Sequence, residues 1–181
     1  MPKPQGKCIY CGGIGLTREH LYANWIRKYL PTLTDMHGVE EVETSPTGQE
    51  MRRLSHRSGD LHSKRIRRVC KTCNLGWMSQ LQEAAKPLLI PMLDGDTITL
   101  DRKKQEIVAA WATMIAMTGE FAVDRFVAVP QSDRDALRLT QRTPPNWRIW
   151  LGRFRELPEN TRWVHRVVTL VEKGTQARAS D

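Results

Sequence analysis

The four cysteines of this 181-residue chain fall into two pairs, Cys8-x-x-Cys11 in KCIYCGG and Cys70-x-x-Cys73 in VCKTCN. Two thiolates at that spacing on a tight turn can reach one ion at about 2.3 Å, and two such knuckles complete a tetrahedral zinc site. A redox dithiol is the competing use, and disulfides are disfavoured in a reducing cytoplasm. Four sulfur ligands leave no open coordination position, so this zinc is structural and any chemistry must come from other side chains. Three candidates flank the knuckles: Glu19 and His20 after the first, and Asn74 directly against the second. One ion shared by both knuckles draws a carboxylate, an imidazole and a carboxamide toward a common cleft.

The elements that must position these groups follow from periodicity. In LTREHLYANWIRKYL, Leu21, Trp25, Ile26, Tyr29 and Leu30 recur at helical spacing, and Pro31 stops the run. Residues 31–50 are acidic and turn-rich and read as a loop. The next stretch reads as two strands, Met51–His56 and Leu61–Val69, joined by a Ser-Gly-Asp turn. Ile66 and Val69 break strict alternation in the second. A helix is expected from Asn74, with Trp77, Met78, Leu81, Ala84, Ala85 and Leu88 inward and Pro87 and Pro91 kinking or ending it. Another runs from Asp101 to Thr118, with Ile107, Trp111, Met114, Ile115 and Thr118 inward, and SDRDALRLT is a short helix. WRIWLGRF and RWVHRVVTLVEK read as strands. Trp25, Trp77 and Trp111 are expected in the core. Trp147 and Trp150 point to opposite faces.

The order CIYC, EH, CKTCN resembles the HNH nuclease family, with its ββα-metal core, in the variant buttressed by a four-cysteine zinc. It is similar in layout to phage junction-resolving nucleases. The resemblance covers about residues 8–85. It implies His20 as general base, Glu19 as acidic metal ligand and Asn74 as the metal ligand on the helix. The family more often carries Asp than Glu before the histidine, and a proline that often follows is absent from LYANW. The implied reaction is hydrolysis of DNA phosphodiester bonds with one Mg²⁺ or Mn²⁺ held by few protein ligands, and histidine suits the task of deprotonating water near neutral pH. Taken singly, each residue has an ordinary use: His20 on a helix surface, Glu19 favouring a helix dipole, Asn74 as a cap. Capping and metal binding compete for the same amide oxygen.

Net charge is +8 with a pI near 9.6, which favours polyanionic partners. Eight cations lie between Arg52 and Lys71 (Arg52, Arg53, Arg57, Lys64, Arg65, Arg67, Arg68, Lys71) with Asp60 the lone acid, a concentration suited to backbone phosphates. The fold class expected is α+β: a zinc-anchored nuclease domain over 1–95, then an extension of helix and short strands over 96–181 with a polar tail at 174–181. Homodimerisation and substrate positioning are the roles open to the extension. No window approaches the roughly 18 apolar residues of a membrane span, and MPKPQGKC lacks a signal-peptide core, so the expected compartment is the cytoplasm. The rival reading is a non-catalytic zinc-anchored nucleic-acid-binding protein, which needs neither Glu19 nor His20 beside Asn74.

Overall fold

Residues 6–29, 36–45, 47, 49–59, 61–122 and 127–152 are described by the computed structural model, with side chains except at 36–44, 55, 57 and 61. Strand β1 (Leu16–His20) pairs antiparallel with β4 (Arg65–Cys70), and between them in sequence β2 (Met36–Thr44) and β3 (Glu50–Ser58) form a separate two-stranded sheet. The helix expected from Leu16 onward is therefore corrected: its first five residues are strand, and only Asn24–Lys28 is helical, as a 3₁₀ turn. Long-range pairing outweighs local periodicity here, since the ladder to β4 continues past His20 with the Leu21 amide donating to the Lys64 carbonyl at 3.0 Å.

The expected hairpin of Met51–His56 with Leu61–Val69 is also corrected. The partner of β3 is β2, drawn from the stretch expected as a loop, in a register that sets Glu41 opposite Arg53 and His37 opposite Arg57. Glu41 and Arg53 are opposite charges directly across strands, a pairing worth about 0.2–1 kcal/mol, and the hairpin joins two runs neither of which announces the other. Leu61–Ser63 is a 3₁₀ turn rather than strand. In the β1–β4 ladder Thr17 faces Val69 but Glu19 faces Ile66, a bulge that places one extra residue on β4. That slip lets Ile66 and Val69 both be buried, although a regular strand would send them to opposite faces.

From Cys70 the chain enters α1 (Lys71–Cys73), a π-helical turn (Asn74–Met78) and α2 (Ser79–Leu93), with Gly76 departing from helical geometry at φ −92°, ψ −117°. Pro87 and Pro91 do not end α2, which runs to Leu93. Its buried row is Leu81, Ala85 and Leu89, continuing from Met78 of the π-helical turn, and Ala84, expected inward, is exposed. Helix α3 (Arg102–Gly119) starts where the Asp101 carboxylate accepts from the Lys104 amide at 2.8 Å, and α4 is Gln131–Thr140. Residues 147–152, expected as strand, are irregular, because the Trp147 indole N–H turns back to Asp133 on α4 at 2.8 Å. Trp150 is exposed, opposite in fate to half-buried Trp147. The run RWVHRVVTLVEK, with Trp163 and His165, lies outside the described residues. No described helix is long and apolar enough to cross a membrane.

One core joins the knuckles to the helices beyond them. Cys8, Tyr10, Val69, Cys70, Cys73, Met78 and Leu81 cluster with Ala110, Met114 and Met117 of α3 and Leu137 of α4. The division expected near residue 95 falls in the connection between α2 and α3, which pack on each other. Tyr10 is fully buried; its hydroxyl donates to the Met114 carbonyl at 3.1 Å and lies 2.9 Å from Thr118 Oγ1. Under α4, buried Glu120 accepts from the Ala128 amide, from the Val129 amide at 3.0 Å, and from Arg134 Nη1 at 3.3 Å. Removing one partner of a buried pair strands the other charge at a cost of about 3–5 kcal/mol. Glu120→Ala is accordingly expected to lower unfolding free energy by that amount, read as a fall in the urea midpoint.

Candidate metal centre and active-site cleft

The first knuckle turns on Gly12, whose φ of +69° suits glycine and brings its amide to the Cys8 carbonyl at 2.8 Å. The next amide, Gly13, donates to Cys11 Sγ at 3.4 Å. Because β1 begins and β4 ends at Leu16 opposite Cys70, the sheet itself carries the second knuckle onto the first. The four sulfurs all lie within 4.8 Å of one another, with Cys11 and Cys70 at 3.5 Å, and all four thiols are free rather than disulfide-bonded. A tetrahedron with metal–sulfur bonds of about 2.3 Å has edges near 3.8 Å, so this set fits a structural ion such as zinc. Burial pushes the Cys11 and Cys73 thiols up, whereas at Cys70 hydrogen bonds from the Cys73 backbone and the neighbouring thiols overcome burial and hold it below the usual range. A cation at the centre relieves that crowding by favouring the thiolates.

The other end of the same sheet carries Glu19 and His20. Successive strand residues face opposite sides. Thr17 and Glu19 look toward the helix: Thr17 Oγ1 accepts from Asn74 Nδ2 at 3.0 Å, and the Asn74 side chain acts on the Glu19 carboxyl. Asn74 is not the N-cap of the helix, a position held by Cys70 for α1 and by Cys73 for the π-helical turn; it closes the C-terminal end of α1 through its backbone. With its N–H group directed at Thr17, the carbonyl Oδ1 is the atom Asn74 can offer a cation. Burial raises the Glu19 carboxyl, and the Asn74 hydrogen bond partly offsets this.

His20 ends β1 and so lies at the junction of two clefts. One, of about 510 Å³, is lined by Glu19, His20, Asn24, Asn74, Gln82 and their apolar neighbours. The other, of about 890 Å³, is lined by His20 with four arginines and small polar residues. His20 Nε2 accepts from Arg65 Nε at 3.0 Å, and burial together with the Arg65 charge lowers its pKa, keeping the imidazole neutral at pH 7. The strand rise of about 3.4 Å per residue puts His20 some 14 Å along β1 from the knuckle end, so the sulfur cluster braces the cleft from a distance.

The structure thus gathers Glu19, His20 and Asn74 on one cleft. The eight basic residues from Arg52 to Lys71 are divided. Arg52 and Arg53 are exposed on β3 in the other sheet, Arg52 paired with Glu50 at 2.9 Å, and the Arg57 side chain lies outside the described set. Arg65 and Arg67 are exposed on β4, Lys64 is half-buried before it, and Lys71 is exposed at the start of α1. Arg68 lies 5.7 Å over the Phe121 ring. Sequence reasoning missed Thr17, which positions Asn74, and Gln82, whose Oε1 accepts from both Trp111 (2.8 Å) and Trp25 (3.4 Å). It also missed Arg18 and Arg27. Arg18 could have been found, since it alternates with His20 once β1 is recognised as a strand. Comparison of the chain with family models, curated proteins and solved structures gives no match.

Proposed function

We propose that this protein is a metal-dependent endonuclease of the HNH type, built on a ββα-metal core of β1, β4 and the helix that follows, and that it hydrolyses DNA phosphodiester bonds. The observation carrying the proposal is that consecutive residues Glu19 and His20 share one cleft with Asn74, whose amide is held by Thr17. A carboxylate and an amide oxygen are the hard, sparse donors that Mg²⁺ or Mn²⁺ accepts while keeping sites for water and phosphate. When bound, such an ion would supply positive charge to the phosphate oxygens and the departing 3′ oxygen. His20 supplies the base. Its neutral imidazole, with an acceptor lone pair on Nε2, is in the protonation state needed to take a proton from water. Thr17 fixes the Asn74 amide, and Gln82 fixes the two indoles behind the cleft.

A second reading rests on a specific contact. Arg65 occupies Nε2, the nitrogen a base would use, and a chain that only binds nucleic acid could keep that pair permanently. For catalysis, Arg65 must leave His20 as the substrate phosphate arrives, exchanging a neutral acceptor for an anionic one that its guanidinium can grip with two parallel N–H groups. Nicking of supercoiled plasmid separates the two. Zinc-replete protein is expected to produce open circles with added Mg²⁺ or Mn²⁺ and none without them. Intact plasmid under both conditions, from folded protein, overturns the nuclease reading in favour of the binder.

A further inference from the structure

The larger cleft has a composition of its own. It is lined by Arg18, Arg27, Arg65 and Arg67 together with His20, Asn24, His62 and Ser63, with neither a carboxylate nor an apolar side chain among them. Small-molecule pockets of this size, about 300–1,000 Å³, are lined mostly by hydrophobic and aromatic groups. Here the four arginines come from β1, the 3₁₀ turn and β4, and all four are exposed. Strand alternation explains the convergence: Arg18 shares a face with His20, and Arg65 shares one with Arg67 across the ladder. Like charges gathered from three elements repel one another, and a polyanion relieves the repulsion.

We infer that this cleft binds the sugar–phosphate backbone of one strand of duplex DNA, leading that strand to His20 without reading its sequence. The inference rests on the nuclease reading only for what happens at His20; the binding stands on the cleft's own chemistry. Base edges lie recessed in the grooves and are reached by a protruding helix or ribbon, whereas a concave arginine wall meets the projecting backbone. Unpaired bases call for aromatic stacking platforms, and among the described residues no Trp, Tyr or Phe lines the cleft. The bases therefore stay paired. Arg65 marks the inner end of the track, because it lines the cleft while donating to His20.

The test is fluorescence anisotropy of the full-length, zinc-loaded protein with a labelled mixed-sequence duplex and its single strand. It is run without added divalent ion across a salt series. Each phosphate contact removed lowers the slope of log K against log salt by about 0.9 for duplex DNA. Arg18→Ala and Arg67→Ala are each expected to do so, and the double variant to lose about twice as much. Arg102→Ala, in the first turn of α3 and lining neither cleft, is expected to leave slope and affinity unchanged. Equal slopes for wild type and the Arg18/Arg67 variants, or tighter binding of the single strand than of the duplex, would falsify the inference. Arginine-dependent duplex binding with no plasmid nicking keeps this cleft and removes the nuclease. Nicking with arginine-independent binding does the reverse.

Discussion

Plasmid nicking by His20→Ala is expected to fall by about 10²–10⁴-fold, the usual contribution of a positioned general base, with zinc content and unfolding temperature unchanged. The size of the drop follows from the absence of a substitute within the cleft. Among the described residues its other lining groups are two carboxylates, Glu19 and Glu83, the latter paired with Lys86 at 2.9 Å, together with carboxamides, a serine and apolar side chains, and no second imidazole. His62 is buried on the other side of His20, where it lies 5.9 Å from the Tyr22 ring. A fold effect is not expected, because His20 is only partly buried and makes its side-chain contact with exposed Arg65. Undiminished nicking by the variant would remove His20 from the mechanism. A loss accompanied by a lower unfolding temperature would assign it to structure instead.

The second large effect concerns the sulfur cluster. Structural zinc contributes roughly 10–16 kcal/mol of apparent binding free energy at neutral pH, against a typical net stability of 5–15 kcal/mol for a whole domain. Cys73→Ser is therefore expected to leave the chain without a cooperative unfolding transition, and elemental analysis of the wild type to give one zinc per chain. The sensitivity is structural as much as energetic. Cys8, Cys70 and Cys73 are themselves members of the main apolar cluster, and Tyr10, between the knuckle cysteines, meets the Trp77 ring edge-on at 5.0 Å. A fully cooperative transition in the metal-free variant would mean that the core holds the knuckles together unaided.

The cysteine cluster was legible because C-x-x-C spacing encodes metal-binding geometry locally, and its two halves predicted each other. Helices α3 and α4 were legible too, since an amphipathic period of 3.6 survives whatever the neighbours are. The strand status of Leu16–His20 was not. Leu21, Trp25 and Ile26 carry a helical period, and only the distant β4, with a bulge that no alternation pattern shows, makes the preceding residues extended. The β2–β3 hairpin was hidden for a related reason: the partner of β3 lies in an acidic run that reads as a loop, and only the pairing itself makes it a strand. Glu19, His20 and Asn74 could be singled out by their place beside the knuckles, but Arg18 becomes legible only once Leu16–His20 is known to be a strand, and Arg27 depends on how the 3₁₀ turn after that strand folds back.

The first knuckle is held from behind by α4. Gln131 Nε2 donates to the Ile9 carbonyl and Arg138 Nε to the Tyr10 carbonyl, both at 3.0 Å, across 122 and 128 positions of sequence. A ribosome adding about 5–20 residues per second takes roughly 6–25 s to make the second of these donors after the turn it grips. During synthesis, then, the sulfurs can gather well before their cover arrives, and an emerging chain passes through a stage in which thiols and apolar wall are open to surrounding metals, oxidants and chaperones.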